Sequence, residues 1–449
     1  MRKIFRNISL VALLLAPALL FAQTESNNKP YEMLINGVKV IVQPSGNNIV
    51  VIQTVIKGGV QNYAAPKAGI ENLALQALTE CGTVRDDKNT FKNKLDNVSA
   101  QVGGNSGMSY AAVTMNCIKS DFDAVWPLYT EAMTTPRFDQ KEFDRIKQDA
   151  INAIRANESN PDNAINKLAK QTAFAGKDFA KDPQGTVETI GKLTAAETKK
   201  HWQSVFTRSR MVIVVVADLD RAVIEKKMKE FLAKVPAGAP FTPKKETYVP
   251  NGNSFKPQER ENATNYVQGI TSGPKPGTPD YNAFSMAMAI FSSRHFVEVR
   301  SKHGLSYAPG AWLSTGNTTY ANIYVTTTEP DKYIAVARAL IDTIKMKGFT
   351  EAELKNEKTS YLTGIYYRDE TNQAQATSLA SNEVLHGDWK RSIKIKDDIN
   401  KVTLDQLNSS FKKYFTNITW VYQGDPKKVN PVLYTQKETP KMPEDRKAF

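Results

Sequence analysis

The chain has 449 residues, 41% of them hydrophobic and 23% charged, with a net charge of +13. That length holds two or three ordinary domains, and the apolar content is too high for a disordered chain. Two cysteines (Cys81, Cys117) and four scattered histidines (His201, His295, His303, His386) exclude a disulfide scaffold, a four-cysteine zinc site and a thiolate-held iron–sulfur cluster. They also leave little for a histidine-rich metal site.

Arg2, Lys3 and Arg6 precede an apolar run over residues 8–21, and Ala22 before Gln23 offers a cleavage point. The run is short for a membrane span and polar residues follow it. Residues 1–22 are therefore read as a secretory signal, with no stable membrane span and the periplasm as expected destination. Without those three cations the mature chain carries +10 (13 minus 3). No basic run is interleaved with aromatics, so no nucleic-acid partner is expected. The charge suits acidic peptides or acidic partner surfaces. An oxidising compartment would permit a Cys81–Cys117 bridge; two small buried residues are the alternative.

Next come β-branched runs at 38–43 and 49–57 around a PSGNN turn, which predict a hairpin. Apolar Ile70, Leu73, Ala74, Ala77 and Leu78 predict a helix over 67–81. A strand is expected at 108–118, and helices at about 121–133 and 139–157. The break at Asn160-Pro161-Asp162 starts another helix. Residues 211–217 read as a buried strand and 220–233 as a closing helix. Residues 236–258, with five prolines and no periodicity, read as an extended linker. Beyond it are strands at 264–271, 306–314, 319–327 and 418–423, and helices at 279–291, 331–346 and 351–385.

The second half repeats the first. With Thr194 set against Thr403, an offset of 209, Trp202 meets Phe411, Phe206 meets Phe415, Thr207 meets Thr416 and Val212 meets Val421. Both copies read helix, F-T turn, strand. The expected domains are 31–235 and 259–430, joined by the 236–258 linker.

Residues 58–83 read GGVQNYAAPKAGIENLALQALTECGT. This segment resembles the insulinase-like family of zinc metallopeptidases, which includes pitrilysin and mitochondrial processing peptidase. In active members the helix between the glycine and the Gly-Thr carries H-x-x-E-H. Two histidines one turn apart hold zinc, and the glutamate takes a proton from the metal-bound water. Here the frame lacks the ligands. Counting from Gly69, the histidine positions hold Asn72 and Gln76, and the glutamate position holds Leu75. Counting back from Gly82, they hold Leu73, Ala77 and Gln76. The family's third ligand, a later glutamate, falls on Asn152 or Ala153. His295 and Glu298 form an H-x-x-E with Val299 where a second histidine would stand, and are read as ordinary helix residues.

Residues 291–311, FSSRHFVEVRSKHGLSYAPGA, resemble the family's second half, where a helix ends in arginine before a G-L-x-Y turn. The matching residues are Arg300, Gly304, Leu305 and Tyr307. The resemblance implies that Arg300 and Tyr307 bind a peptide carbonyl beside a zinc site on another half or subunit. Guanidinium and phenol donors suit that task.

The fold implied is α+β: two similar halves, each a mixed sheet with helices packed on one face. The function implied is a non-catalytic, exported subunit, inactive alone, of a heteromeric zinc endopeptidase. It would hold a peptide substrate and donate Arg300 and Tyr307 to an H-x-x-E-H-bearing partner. The chain itself would hold no cofactor; the zinc would be the partner's. The alternative is a structural or peptide-binding assembly protein with no catalytic role.

Overall fold

The computed structural model describes residues 29–439. The predicted signal segment lies outside the described residues. Among the described residues no helix is long and apolar enough to cross a membrane.

Six strands build the first sheet: β1 (Tyr31–Ile35), β2 (Val38–Pro44), β3 (Ile49–Lys57), β4 (Gln101–Ser106), β5 (Tyr110–Ile118) and β6 (Met211–Ala217). Their order across the sheet is β1-β2-β6-β3-β5-β4. The second sheet contains β7 (Glu246–Thr247), β8 (Ser254–Glu259), β9 (Asn265–Ser272), β10 (Gly310–Ser314), β11 (Thr318–Thr327) and β12 (Thr419–Gly424). Its order is β8-β12-β9-β11-β10, with β7 beside β11. The two orders coincide strand for strand from β2 onward. The parallel pair β2–β6 of the first sheet corresponds to β8–β12 of the second; the short β7 also runs parallel to β11, and the other pairs are antiparallel.

The duplication reaches side chains. Thr194 and Thr403 each close a capping box, with Glu197 and Gln406 as the reciprocal partners. Trp202 stacks on Phe206 and Phe411 on Phe415, both at 4.7 Å between ring centroids. Val212 and Val421 lie on β6 and β12.

Each sheet carries its own helices on one face, and a helix from the opposite half on the other. In β6, Met211, Ile213 and Val215 join the first half's own core. The alternate residues Val212, Val214 and Val216 face Ala376, Leu379 and Ala380 of the helix Asn372–Ser381. In β12, Trp420 and Tyr422 belong to the second core, while Val421 joins the first. The helix Pro161–Ala173 lies against β9 and β12. This crossed packing explains why β6 is buried at every position. A polar clasp reinforces it: buried Asn372 donates to the Ile49 carbonyl at 2.6 Å and to Asn47 Oδ1 at 2.9 Å.

Four expectations change. The runs at 38–43 and 49–57 do not pair as a hairpin, because β6 lies between β2 and β3 and bonds to both. The expected helix 351–385 breaks at Asp369–Thr371, where Thr371 caps a new helix. The 236–258 segment is not all linker: β8 begins at Ser254 and pairs with β12. Its Pro257 argues against a strand in the sequence, but an outermost strand tolerates the missing donor. Finally, β1 and the glycine-bearing β4 were not anticipated.

Candidate functional site

The helix Ile70–Glu80 starts at Gly69, whose left-handed φ of 91° and crowded surroundings leave no room for a side chain. Leu73 and Ala77 are fully buried in the first core, whereas Asn72 and Gln76 are half-buried on the helix's outer flank. The two histidine positions counted from Gly69 are thus the accessible ones, while the glutamate position of that register, Leu75, is fully buried. Asn152 is exposed on the helix Gln140–Ser159 and accepts a hydrogen bond from Gln148 at 3.0 Å. Neither Asn72, Gln76 nor Asn152 carries the anionic or imidazole donor that zinc needs. Among the described residues no group of three His, Cys, Asp or Glu is placed to hold a metal ion.

The same helix holds a residue the motif reading passed over. Glu71 is fully buried. Its carboxylate accepts from Asn62 Nδ2 at 2.7 Å and from Ser106 Oγ at 2.9 Å, with His201 Nε2 at 3.5 Å. Arg210 donates to Asn62 Oδ1 at 2.7 Å and stacks on Phe241, extending the network to the connecting segment. Burial, and after it the Glu71 charge, pushes the Tyr63 phenol far up. A carboxylate can stay in such a place only because it is hydrogen-bonded. The network ties the helix to β4 and to the loop after β3. A carboxylate in an otherwise apolar helical pattern was the available signal.

Arg300 and Tyr307 do converge. The helix Asp280–Phe296 runs on into a wider π-helical turn, Val297–Lys302. That turn ends at Gly304, with φ +61°. Leu305 N donates to the Val299 carbonyl at 2.9 Å and Gly304 N to the Arg300 carbonyl at 3.2 Å. These bonds each reach one residue further than in the common glycine-terminated helix end. Leu305 plugs into the second core. The chain then turns outward, leaving Tyr307 78% exposed. Arg300 Nη1 donates to the Tyr307 carbonyl at 2.9 Å, and its guanidinium lies 4.1 Å from the centre of the Tyr307 ring and 5.1 Å from that of Phe296. Stacking orders the guanidinium while most of its donors remain available. Tyr307 lies in the bend before β10, three residues ahead of the strand, and not at the expected strand start.

The other candidates resolve into packing. His295 is fully buried and its Nε2 is 3.0 Å from Tyr333 Oη; burial pushes its imidazole down to about 3. Glu298, by contrast, pairs with Lys302 at 2.7 Å, so the H-x-x-E residues do not act together. Cys81 and Cys117 are both buried and free, and burial pushes their thiols up to about 12 and about 11. Neither is a poised nucleophile.

A family model described as the peptidase M16 inactive domain matches residues 192–361. The chain is 23% identical over 407 residues to a non-peptidase homolog, YmxG, of Helicobacter pylori, covering 88% of this chain and 94% of that one. It is 20% identical over 385 residues to an uncharacterized zinc protease, YmxG, of Bacillus subtilis, covering 85% and 94%. Among solved structures, the peptidase M16 inactive domain from Pseudomonas fluorescens matches with a TM-score of 0.80 at 18% identity, over 88% of this chain and 98% of that one. The periplasmic protease PqqL from Escherichia coli matches at 0.76 and 15% identity, with 87% of this chain covering 44% of that one. Subunit 1 of the mouse mitochondrial cytochrome b-c1 complex is 20% identical over 203 residues, 45% of this chain and 42% of that one.

Proposed function

We propose that this chain, which belongs to the insulinase-like (M16) family as a member without the H-x-x-E-H motif, is an exported subunit that completes a zinc-bearing partner's active site. The observation that carries the reading is the stacked pair of half-buried Arg300 and exposed Tyr307, in a chain whose first half holds Asn72, Gln76 and Asn152 at the expected ligand positions. A stacked guanidinium and a phenol, both reachable from outside, can donate to a peptide carbonyl and to the oxyanion that forms when water attacks it. The partner would supply zinc and the general base. Its placement in the periplasm would follow from the signal-like residues 1–22.

The test is reconstitution. Purified alone, the mature chain is expected to bind no stoichiometric zinc and to cleave no peptide. Mixed with its H-x-x-E-H partner, it should raise hydrolysis. Arg300→Ala should lower kcat on the order of 100-fold, with Tyr307→Phe smaller, while the complex still forms. Zinc-dependent cleavage by the lone chain would overturn the proposal. So would undiminished activity of an assembled Arg300→Ala complex.

A second reading draws on the partial likeness to a cytochrome b-c1 complex subunit. There the chain would be an assembly component, and both substitutions would leave every partner's activity unchanged.

A further inference from the structure

The crossed packing of the halves leaves an opening that no sequence motif marks. A cleft of about 720 Å³ lies between the β4–β5 hairpin of the first half and the helix Asn372–Ser381 of the second. Its walls are Gly103, Gly104, Asn105 and Gly107–Tyr110 on one side and Gln373, Thr377 and Ser381 on the other. Amide, hydroxyl and backbone groups of this kind can bond an extended chain with little regard to its side chains. Thr315, Thr377, Ser381 and Leu385 continue the wall into a second cavity of about 430 Å³.

That second cavity has a one-sided charge. Arg368, Arg391 and His386 line it, and no aspartate or glutamate does. Arg391 makes one long hydrogen bond, Nη2 to Asn282 Oδ1 at 3.4 Å, and its Nε is buried without a partner. Arg368 is half-exposed, with its Nε 3.6 Å from Asp369. The His386 ring, edge-on to Tyr281, keeps a buried Nδ1 without a partner. Burial first, then the charges of Arg391 and Lys245, holds its imidazole down to about 4, against the opposing pull of Asp388. Arg391 has no carboxylate beside it and Arg368 only Asp369 at 3.6 Å, so an anionic ligand would supply the counter-charge that Arg391 lacks. The planar fork of a guanidinium fits a carboxylate in particular.

We propose that the cleft between the halves holds an extended peptide and that Arg391 and Arg368 bind a carboxylate of that peptide in the adjoining cavity. This rests on the peptide-holding part of the proposed function, but not on any partner. It narrows the substrate class to peptides that end in, or carry, a carboxylate at that point.

The experiment uses the mature chain alone and three labelled peptides of about ten residues, read by fluorescence anisotropy. One carries glutamates and an amidated end. One carries glutamines and a free C-terminal carboxylate. The third carries glutamines and an amidated end. Either or both of the first two should bind at least about tenfold more tightly than the third, which also separates side-chain from terminal recognition. Arg391→Gln should bring that preference to within about twofold, and Lys229→Gln, on an exposed helix face, should leave it intact. Thermal melting checks that the variants fold; if Arg391→Gln does not, Arg368→Gln decides. Equal binding of all three peptides, binding of none, or a preference that survives in the folded arginine variants would overturn the proposal. If the preference is missing while Arg300-dependent hydrolysis is intact, only this site falls. The converse removes the catalytic role and keeps the site.

Discussion

The helices Ile70–Glu80 and Asp280–Phe296 occupy the same place in the two halves, each between the third and fourth strands of its repeat. They solve the problem of burial differently. The first keeps its apolar face in the core and fixes its start with a buried carboxylate, Glu71, held by Asn62 and Ser106. The second fixes its end with a neutral pair, His295 and Tyr333, and projects Arg300 beyond it. The histidine positions counted from Gly69, Asn72 and Gln76, fall on the outer flank of the first helix. Side chains there can vary without disturbing the inner face. Fold and chemistry are separable here: the two helices hold the same place in their halves with different side chains on their outer positions.

The largest expected effect tests which flank of the first helix faces the core. Leu73 and Ala77 are 1% and 0% exposed. The double variant Leu73→His/Ala77→His would bury two imidazoles and overfill the Ala77 site. It should lose about 4 kcal/mol or more in urea unfolding. Asn72→His/Gln76→His should stay within about 1 kcal/mol of the parent. If the two variants exchanged places, Asn72 and Gln76, not Leu73 and Ala77, would face the core.

An acid titration sharpens the contrast from the second half. His295 is held down to about 3 by burial, against an ordinary value near 6.5. Above pH 6.5 both folded and unfolded states carry it neutral, and it contributes no pH dependence. Below that, the unfolded chain takes up a proton that the folded chain refuses. Stability therefore falls as pH falls from 6.5 toward 3. Between pH 7 and pH 5 the loss should be about 2 kcal/mol for this residue. His295→Leu should abolish that portion while retaining the part due to His386, held down to about 4. An unchanged stability difference between pH 7 and pH 5 in the variant would show that His295 is not the group concerned.

Much of this was legible before any coordinates, and the failures have particular causes. The strand at 211–217 and the repeat at offset 209 could be read because each rests on a local pattern: a β-branched run, or a capped helix with aromatics one turn apart. The β2–β3 hairpin was misread because the strand that separates them lies more than 150 residues later, at 211–217, and no local signal announces it. Glycines hid β4 and a proline hid β8, both edge strands where such residues are tolerated. Arg300 and Tyr307 were found through a motif. Glu71 was passed over although a lone carboxylate in an apolar helical pattern marks it, and Arg391 and His386 carried no signal because their neighbours Asn282 and Tyr281 lie over 100 residues earlier.

The smallest effect tests whether the halves are equivalent where they look most alike. Thr194 Oγ1 accepts from Glu197 N at 3.2 Å, and Thr403 Oγ1 from Gln406 N at 3.2 Å. Each caps a helix that delivers a stacked aromatic pair to its core. Thr194→Ala and Thr403→Ala should each cost about 1 kcal/mol. In separate halves without shared partners, the two losses should add to within about 0.5 kcal/mol. A difference could arise only from the reciprocal residue. Glu197 also pairs with Lys67 at 2.6 Å, so it stays anchored when Thr194 is truncated, whereas the paired residue Gln406 is uncharged. A Thr194 loss equal to or slightly below that of Thr403 fits equivalent copies. A non-additive double variant would mean that the crossed helices couple the two caps, and the halves would have to be treated as one cooperative unit.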